Sequence, residues 1–181
     1  MPHSTARAVA FLVANDGVED RELVHPWQAV AAAGFHPVLL APTTGHVHTY
    51  RHLDRVGRHP VHLTIADARA ADYTAVVLPG GVANPDILRL NSKAHRFLRE
   101  ADASGTPIAA ICHAPWTLID ADLVAGRTLA AWPSLATDLT NAGATWTPDR
   151  THIDKTLITA QSDQDVEEFT TLLLNALGRP A

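Results

Sequence analysis

The sequence predicts one α/β domain over residues 1–181, in which helices cover both faces of a mostly parallel sheet. Three observations lead to this fold class. Several short runs of the chain are wholly apolar, as strands buried on both faces of a parallel sheet are. Stretches with helical spacing of apolar residues alternate with these runs, which is typical of doubly wound sheets. A length of 181 residues with 46% hydrophobic content suits one domain with a sizeable core.

Four predicted strands are apolar enough to be buried on both faces. They lie at residues 8–14, 36–41, 75–78 and 107–111. Asp16-Gly17 follows the first, Pro79-Gly80-Gly81 follows the third and Cys112 follows the fourth. Ligands of open α/β sheets bind beyond the carboxyl ends of the strands, so these three turns form the predicted site. Weaker extended pieces are expected around Val47 and Val61, and further strands at 128–131 and 156–159.

Helical spacing fills the connections between the predicted strands. The helices are expected at residues 20–33, 91–103, 115–123 and 134–141, with a last one reaching residue 177. Gly34 and Gly105 end the first two, because glycine readily adopts the left-handed conformation that closes a helix. Pro26 lies inside the first helix and predicts a kink or a late start. Ser162 and Asp165 resemble a capping box at the start of the last helix.

Composition and charge exclude several classes of protein. The formal net charge of −5 gives no sign of a nucleic-acid-binding surface. The single cysteine forms no intrachain disulfide, and no secretory signal or apolar run of about 18 residues is apparent. We therefore expect a cytoplasmic protein with no membrane partner. We expect no cofactor and no metal site, because His46 and His48 lack an obvious third and fourth ligand.

Cys112 is the candidate nucleophile. It ends an apolar strand and begins a helix, the layout that presents the nucleophile in serine hydrolases. A helix N-terminus favours the thiolate, so the sequence predicts a depressed pKa for this thiol. A buried cysteine that acts only as a small apolar side chain is the alternative, and position alone leaves both interpretations open.

Other candidate groups flank the same turns. His113 could bring an imidazole to the sulfur, or could be an ordinary surface or capping histidine. Glu19 and Glu22 follow the first strand, and a carboxyl held beside a thiolate would have its pKa raised by burial and like charge. Acidic residues are also common in the first turn of any helix. Backbone N–H groups of Gly80 and Gly81, with that of His113, could form an oxyanion hole, although a plain turn remains the alternative.

Four stretches together resemble the PfpI family of intracellular cysteine protease-like and general stress proteins, within the class I glutamine amidotransferase-like superfamily. They are residues 14–23, 77–91, 109–127 and 132–146. The resemblance implies a flavodoxin-like three-layer sandwich with Cys112 at a nucleophile elbow. It also implies that His113 is the partner imidazole and that Glu22 places its carboxyl on the sulfur, with Glu19 nearby.

The resemblance further implies a homodimer or hexamer with shared active sites. In the family an acidic residue after the Pro-Gly-Gly turn reaches the Cys–His pair of a neighbouring subunit, and Asp86 occupies that position here. Asp86 is one methylene shorter than the usual Glu, and Ala114 replaces a common Gly. Trp132 stands where a Tyr often does, so a hydroxyl that could orient substrate is missing. Trp132 and Trp116 are expected to line a pocket for small substrates.

The resemblance implies either a peptidase or a glyoxalase- or deglycase-type enzyme acting on a small carbonyl or peptide substrate. Both chemistries begin with attack of a thiolate on a carbonyl. A stress protein whose Cys112 senses oxidants is the alternative, although the chain has no second cysteine to resolve the oxidised one. A glutamine amidotransferase is disfavoured, because His152 lies in Thr-His-Ile-Asp and not in a His-Pro-Glu-like motif.

Overall fold

A seven-stranded sheet forms the centre of the computed structural model, which describes residues 7–178. From one edge to the other, its strands are β11 (Thr151–Asp154), β12 (Leu157–Ala160), β8 (Ile108–Ile111), β7 (Ala75–Leu78), β1 (Ala8–Leu12), β3 (His36–Ala41) and β6 (Leu63–Thr64). All neighbouring pairs are parallel except β11 and β12. The mostly parallel sheet predicted from the sequence is therefore confirmed.

Helices cover both faces of this sheet. One face packs against α1 (Asp20–Ala32) and α6 (Val166–Ala176). The other packs against α2 (Ala83–Leu88), α3 (Ser92–Ala103), α4 (Pro115–Asp120) and α5 (Ala136–Asn141). Alternate residues of β1 supply the two cores, with Val9 and Phe11 on the first face and Ala10 and Leu12 on the second. Burial on both faces explains why these strands are continuously apolar.

The helix ends follow the sequence closely. Asn91 caps α3, since its side chain accepts hydrogen bonds from the backbone N–H groups of Lys93 and Ala94. Ser162 and Asp165 form the predicted capping box, in a short 3₁₀ turn that leads into α6. Helix α1 begins at Asp20 and continues through Pro26, so the late start considered for it does not occur.

Several segments differ from the predictions. The 8–14 strand ends at Leu12, and the strand expected at 128–131 is only β9 (Thr128–Leu129), which pairs with β10 (Thr145–Trp146) outside the main sheet. The weak extended pieces are a full hairpin of β4 (His46–Arg51) and β5 (Asp54–Pro60), joined by the short β2 (Val18–Glu19). Helix α2 and strand β11 were not predicted. Among residues 7–178, no helix is both long and apolar enough to cross a membrane.

Candidate active site

The turn after β8 holds Cys112 in an unusual backbone conformation. Its φ is 64°, in the left-handed region that a side chain other than glycine rarely adopts. The Cys112 N–H donates to the Ala160 carbonyl at 3.0 Å, and its own carbonyl accepts from the Trp132 N–H at 3.0 Å. Strain of this kind costs roughly 1–3 kcal/mol and persists only where the surroundings enforce it. These two hydrogen bonds supply that enforcement.

The imidazole of His113 lies beside the sulfur. Its Nδ1 is 3.2 Å from Cys112 Sγ, and its Nε2 is 3.5 Å from the Ser134 hydroxyl. The ring stacks on Trp132 with centroids 5.6 Å apart and meets Trp116 edge-on at 5.2 Å. Burial lowers the pKa of His113 below its usual value, so the imidazole is neutral at neutral pH. A neutral imidazole with Nδ1 facing the thiol is able to accept its proton.

Glu22 approaches the sulfur from α1. Its side chain is 1% exposed, and its Oε2 accepts a hydrogen bond from the Gly80 N–H at 2.8 Å. Burial raises the pKa of Glu22 to about 8, against the opposing effect of the hydrogen bond from the Gly80 N–H. At neutral pH the protonated carboxyl can donate to the sulfur. The expectation that a carboxyl beside the thiol has a raised pKa thus agrees with the structure.

The expected depression of the Cys112 pKa is not found in this chain. Burial, and then the negative charge of Glu22, raise the pKa of the thiol above its usual value. The backbone N–H groups of Gly81 and His113 act in the opposite direction but do not outweigh burial. Helix α4 has only six residues and begins at Pro115, so its dipole is a weak source of stabilisation for a thiolate. The resting pair is therefore a neutral thiol and a neutral imidazole.

The Pro-Gly-Gly turn after β7 is closely packed against the site. A Cβ on Gly80 would lie 2.5 Å from Glu22 Oε2 and 2.7 Å from Cys112 Cβ, so only glycine fits. Because the Gly80 N–H is already bonded to Glu22, it is not free for the oxyanion role considered for it. The N–H groups of Gly81 and His113 lie near the sulfur and remain as candidate oxyanion donors.

Asn84 is a buried polar residue that the sequence did not single out. Its Oδ1 accepts from the Ala14 N–H at 2.7 Å, and its Nδ2 donates to the carbonyls of Pro79 at 2.8 Å and Gly80 at 3.0 Å. One side chain thereby ties α2 to the carboxyl ends of β1 and β7. A single asparagine carries no motif, so only the coordinates identify this role.

A cleft of about 830 Å³ opens over Cys112. Its lining includes the predicted residues Glu19, Glu22, Asp86, His113 and Trp132, together with Gly81. Glu19 accepts from the His52 N–H at 3.2 Å, and burial raises its pKa. Asp86 lies in the first turn of α2. Within residues 7–178, no hydrogen bond or ion pair joins Asp86 to Cys112 or His113 of the same chain.

The wall of the cleft behind His113 is braced by polar contacts. Trp116 Nε1 donates to Asp138 at 2.8 Å, and the Arg89 guanidinium lies 5.3 Å from the centre of the Trp116 ring. Arg89 in turn binds Asp120 at 2.8 Å. These contacts fix the Trp116 indole beside His113. In the described part of the chain, no three His, Cys, Asp or Glu side chains are placed to bind a metal ion.

Known proteins resemble this chain in sequence and in architecture. The profile of the DJ-1/PfpI family matches residues 7–176. A Bacillus subtilis protein named "Putative cysteine protease YraA" is 32% identical over 172 residues, covering 95% of this chain and 99% of that protein.

Two solved structures also resemble this chain in fold and sequence. A two-domain protein of Anabaena variabilis, with DJ-1/ThiJ/PfpI-like and ferritin-like domains, has a TM-score of 0.88 and 34% identity. The match covers 95% of this chain, which spans about half (48%) of that protein. DJ-1beta of Drosophila melanogaster has a TM-score of 0.86 and 25% identity, covering 96% of this chain and 91% of its own. The chain therefore belongs to the DJ-1/PfpI family.

Proposed function

We propose that this protein is an enzyme in which Cys112 attacks the carbonyl carbon of a small substrate. The observation that carries the proposal is the 3.2 Å contact between Cys112 Sγ and His113 Nδ1, on a strained turn that faces a cleft of about 830 Å³. A strained strand-to-helix turn of this kind is the nucleophile elbow of other hydrolases. The nucleophile and base lie within the reach that covalent catalysis needs.

The first step follows from the protonation states. Neutral His113 takes the proton of the Cys112 thiol as the sulfur bonds to the carbonyl carbon, and the carbonyl electron pair moves to oxygen. The N–H groups of Gly81 and His113 support the resulting oxyanion. Protonated Glu22 donates to sulfur, which steadies the sulfur when it leaves again. The imidazolium then returns its proton to the oxyanion or to a leaving amine.

Small aldehydes suit this site better than a peptide chain. Cys112 is only 8% exposed, and the imidazole beside it is enclosed by two indole rings. A compact carbonyl compound can reach such a sulfur, whereas a peptide substrate would have to fit a segment of its own chain around it. A glyoxalase- or deglycase-type reaction is therefore favoured over peptide hydrolysis.

Oxidant sensing receives less support. A sensor thiol reacts through its thiolate and is usually accessible, whereas Cys112 is buried and its pKa is raised. We keep it as the second candidate, because Glu22 could donate a hydrogen bond to an oxidised sulfur.

Turnover assays separate these functions. A small 2-oxoaldehyde and an unfolded peptide substrate would each be incubated with the protein and with Cys112→Ala. We expect consumption of the aldehyde by the wild type alone, with a covalent adduct on Cys112 in the intact mass. Hydrolysis of the peptide without loss of aldehyde would favour the peptidase. Sulfinic acid formation under mild peroxide, with neither turnover, would favour the sensor.

A further inference from the structure

We propose that the cleft over Cys112 selects substrates that carry a positive charge close to the reacting carbonyl, through the carboxylates of Asp16, Glu19 and Asp163. This inference rests on the proposed function, since it names the substrate class of the same site. Carbonyl compounds bearing an ammonium or guanidinium group would be favoured, and 2-oxo acids and other anionic carbonyl compounds would be rejected.

The charges that line the cleft are almost all of one sign. Its ionisable lining consists of the carboxyl groups of Asp16, Glu19, Glu22, Asp86 and Asp163, the imidazoles of His52 and His113, the phenol of Tyr50 and the Cys112 thiol, all within residues 7–178. Among the described residues, no lysine or arginine lines the cleft. Glu22 is protonated at neutral pH because its pKa is about 8, which leaves four carboxylates. The whole chain has 19 acidic and 14 basic side chains, so the absence of lysine and arginine from the cleft lining sets this site apart from the average composition of the chain.

The nearby arginines lie outside the lining of the cleft. Arg21 pairs with Glu167 at 3.3 Å, and Arg89 pairs with Asp120 behind the Trp116 ring. Arg21 and Arg51 share with Glu19 and Asp163 a groove next to the cleft, and both arginines are exposed to solvent, which screens their charges. Arg55 lies close enough to Tyr50 to lower the pKa of that phenol, but the hydrogen bond to Asp16 has the larger effect and raises it.

Two features of the cleft point to a cationic ligand. Burial raises the pKa of Glu19; the N–H group and the charge of His52 oppose this shift without reversing it, and the charges of Asp163 and Asp20 add to it. A cation in the cleft would add to the partial compensation that His52 gives the ionised carboxyl. Trp132 lies beside Cys112 with 41% of its surface exposed, and an indole face attracts cations.

A cleft lined by one sign of charge concentrates ions of the opposite sign. Such focusing changes association rates by about 10- to 1,000-fold. It weakens as salt is added, because the screening length falls to about 3 Å at 1 M ionic strength. The selectivity should therefore be visible in any reaction of Cys112 with charged reagents, independently of turnover.

Charged methanethiosulfonates test this directly, because Cys112 is the only thiol in the chain. In each reaction the thiolate attacks the reagent sulfur and methanesulfinate leaves, so only the charge of the transferred group differs. The trimethylammonium-ethyl and sulfonato-ethyl reagents would be compared, each rate being divided by that of the reagent with 2-mercaptoethanol. We expect a normalised cation-to-anion ratio of about 10 or more at low salt. It should fall towards 1 in 1 M NaCl.

Variants assign the effect to the cleft. The triple change Asp16→Asn, Glu19→Gln, Asp163→Asn should bring the ratio close to 1. The matched control Asp72→Asn, Glu100→Gln, Asp149→Asn removes the same formal charge from residues outside the cleft lining and should keep the wild-type ratio. A wild-type ratio near 1, or equal losses in the two triple variants, would overturn the inference.

Aldehyde adducts distinguish this failure from failure of the proposed function. An aldehyde bearing an ammonium group should modify Cys112 faster than one bearing a carboxylate. The adduct would be measured from the intact mass of the protein, without reduction by borohydride. Equal adduct formation with both would overturn the charge selectivity and leave the nucleophile in place. A retained methanethiosulfonate ratio with no adduct from either aldehyde would overturn the carbonyl chemistry while the charge selectivity of the cleft stands.

Discussion

At the scale of single residues, Glu22 couples folding to pH. Its pKa is raised by burial from 4.5 to about 8, so the folded chain holds this proton more tightly than the unfolded chain does. The resulting stability is present below pH 4.5 and is lost as pH rises towards 8. We expect the free energy of unfolding to fall by on the order of a few kcal/mol over this range through Glu22 alone.

Glu22→Gln should remove that fall, because an amide does not titrate and its oxygen can still accept from the Gly80 N–H. Urea unfolding at pH 5, 7 and 8.5 would measure it, with the exposed Glu100→Gln as the control. Parallel pH dependence in wild type and Glu22→Gln would contradict a buried, protonated carboxyl.

The same carboxyl governs the reactivity of Cys112. Since burial and the charge of Glu22 both raise the pKa of the thiol, alkylation of the isolated chain by iodoacetamide should still accelerate above pH 8.5. Glu22→Gln removes the like charge and should shift the pH–rate profile to lower pH. A rate for the wild type that is already constant below pH 7.5 would show a thiolate at rest and would contradict this site geometry.

Ser134 is predicted to position His113. When Nδ1 accepts the thiol proton, the neutral ring carries its hydrogen on Nε2, which lies 3.5 Å from the Ser134 hydroxyl. Ser134→Ala should lower the rate of Cys112 chemistry several-fold, since a hydrogen bond of this type is worth about 0.5–1.5 kcal/mol. Ser104→Ala, which removes an exposed hydroxyl bonded only to the Glu100 carbonyl, is the control. An unchanged rate and pH profile would leave ring stacking alone to orient His113.

At the scale of elements, α2 depends on one side chain. Asn84→Ala would leave the Ala14 N–H and the carbonyls of Pro79 and Gly80 without their buried partner. Each orphaned group costs about 1–3 kcal/mol, so we expect a loss of several kcal/mol in denaturant unfolding. Asn175→Ala, at an exposed position on α6, should change stability little. A loss below 1 kcal/mol would mean that α2 is held by its apolar residues.

The elements that the sequence predicted are those whose pattern is set by burial. Strands such as β7 and β8 are buried at every residue, and their wholly apolar composition indicates this burial. Helix α2 has six residues, including Pro85, and its order comes from Asn84 contacts that no local pattern encodes. Likewise β5 is mostly exposed and polar, so periodicity could not reveal it.

The candidate site shows the same division. Motifs pointed to Cys112, His113 and Glu22. Ser134 and Asn84 are common polar residues, and only their distances to neighbouring groups in the folded chain reveal their roles. The direction of the Gly80 N–H could not be inferred either, because it depends on where α1 places Glu22. The raised pKa of Cys112 could not be inferred either. Burial of the sulfur outweighs the effect of the helix N-terminus, and the sequence gives no measure of how much solvent reaches the sulfur.

At the scale of the whole molecule, we propose a homodimer or a hexamer built on the segment around α2. Val82, Ile87 and Leu90 are exposed, with Leu90 83% exposed, and they flank Asp86. Sedimentation at micromolar concentration should show an assembly, and Asp86→Ala should lower activity and raise the pKa of the thiol without unfolding the chain. Leu90→Ala is the control for a general loss of contact. A strictly monomeric and fully active protein would leave Cys112, His113 and Glu22 as a self-contained site.

The left-handed backbone of Cys112 also bears on how this chain can evolve. At φ = 64° every side chain is strained, and glycine alone escapes that strain. As long as the thiol is needed, the loss of stability is tolerated. In a lineage that no longer uses the reaction, a mutation to glycine would relieve that strain, so the position would drift towards glycine sooner than towards serine or alanine. A cysteine retained there across descendants would accordingly record continuing selection for its chemistry.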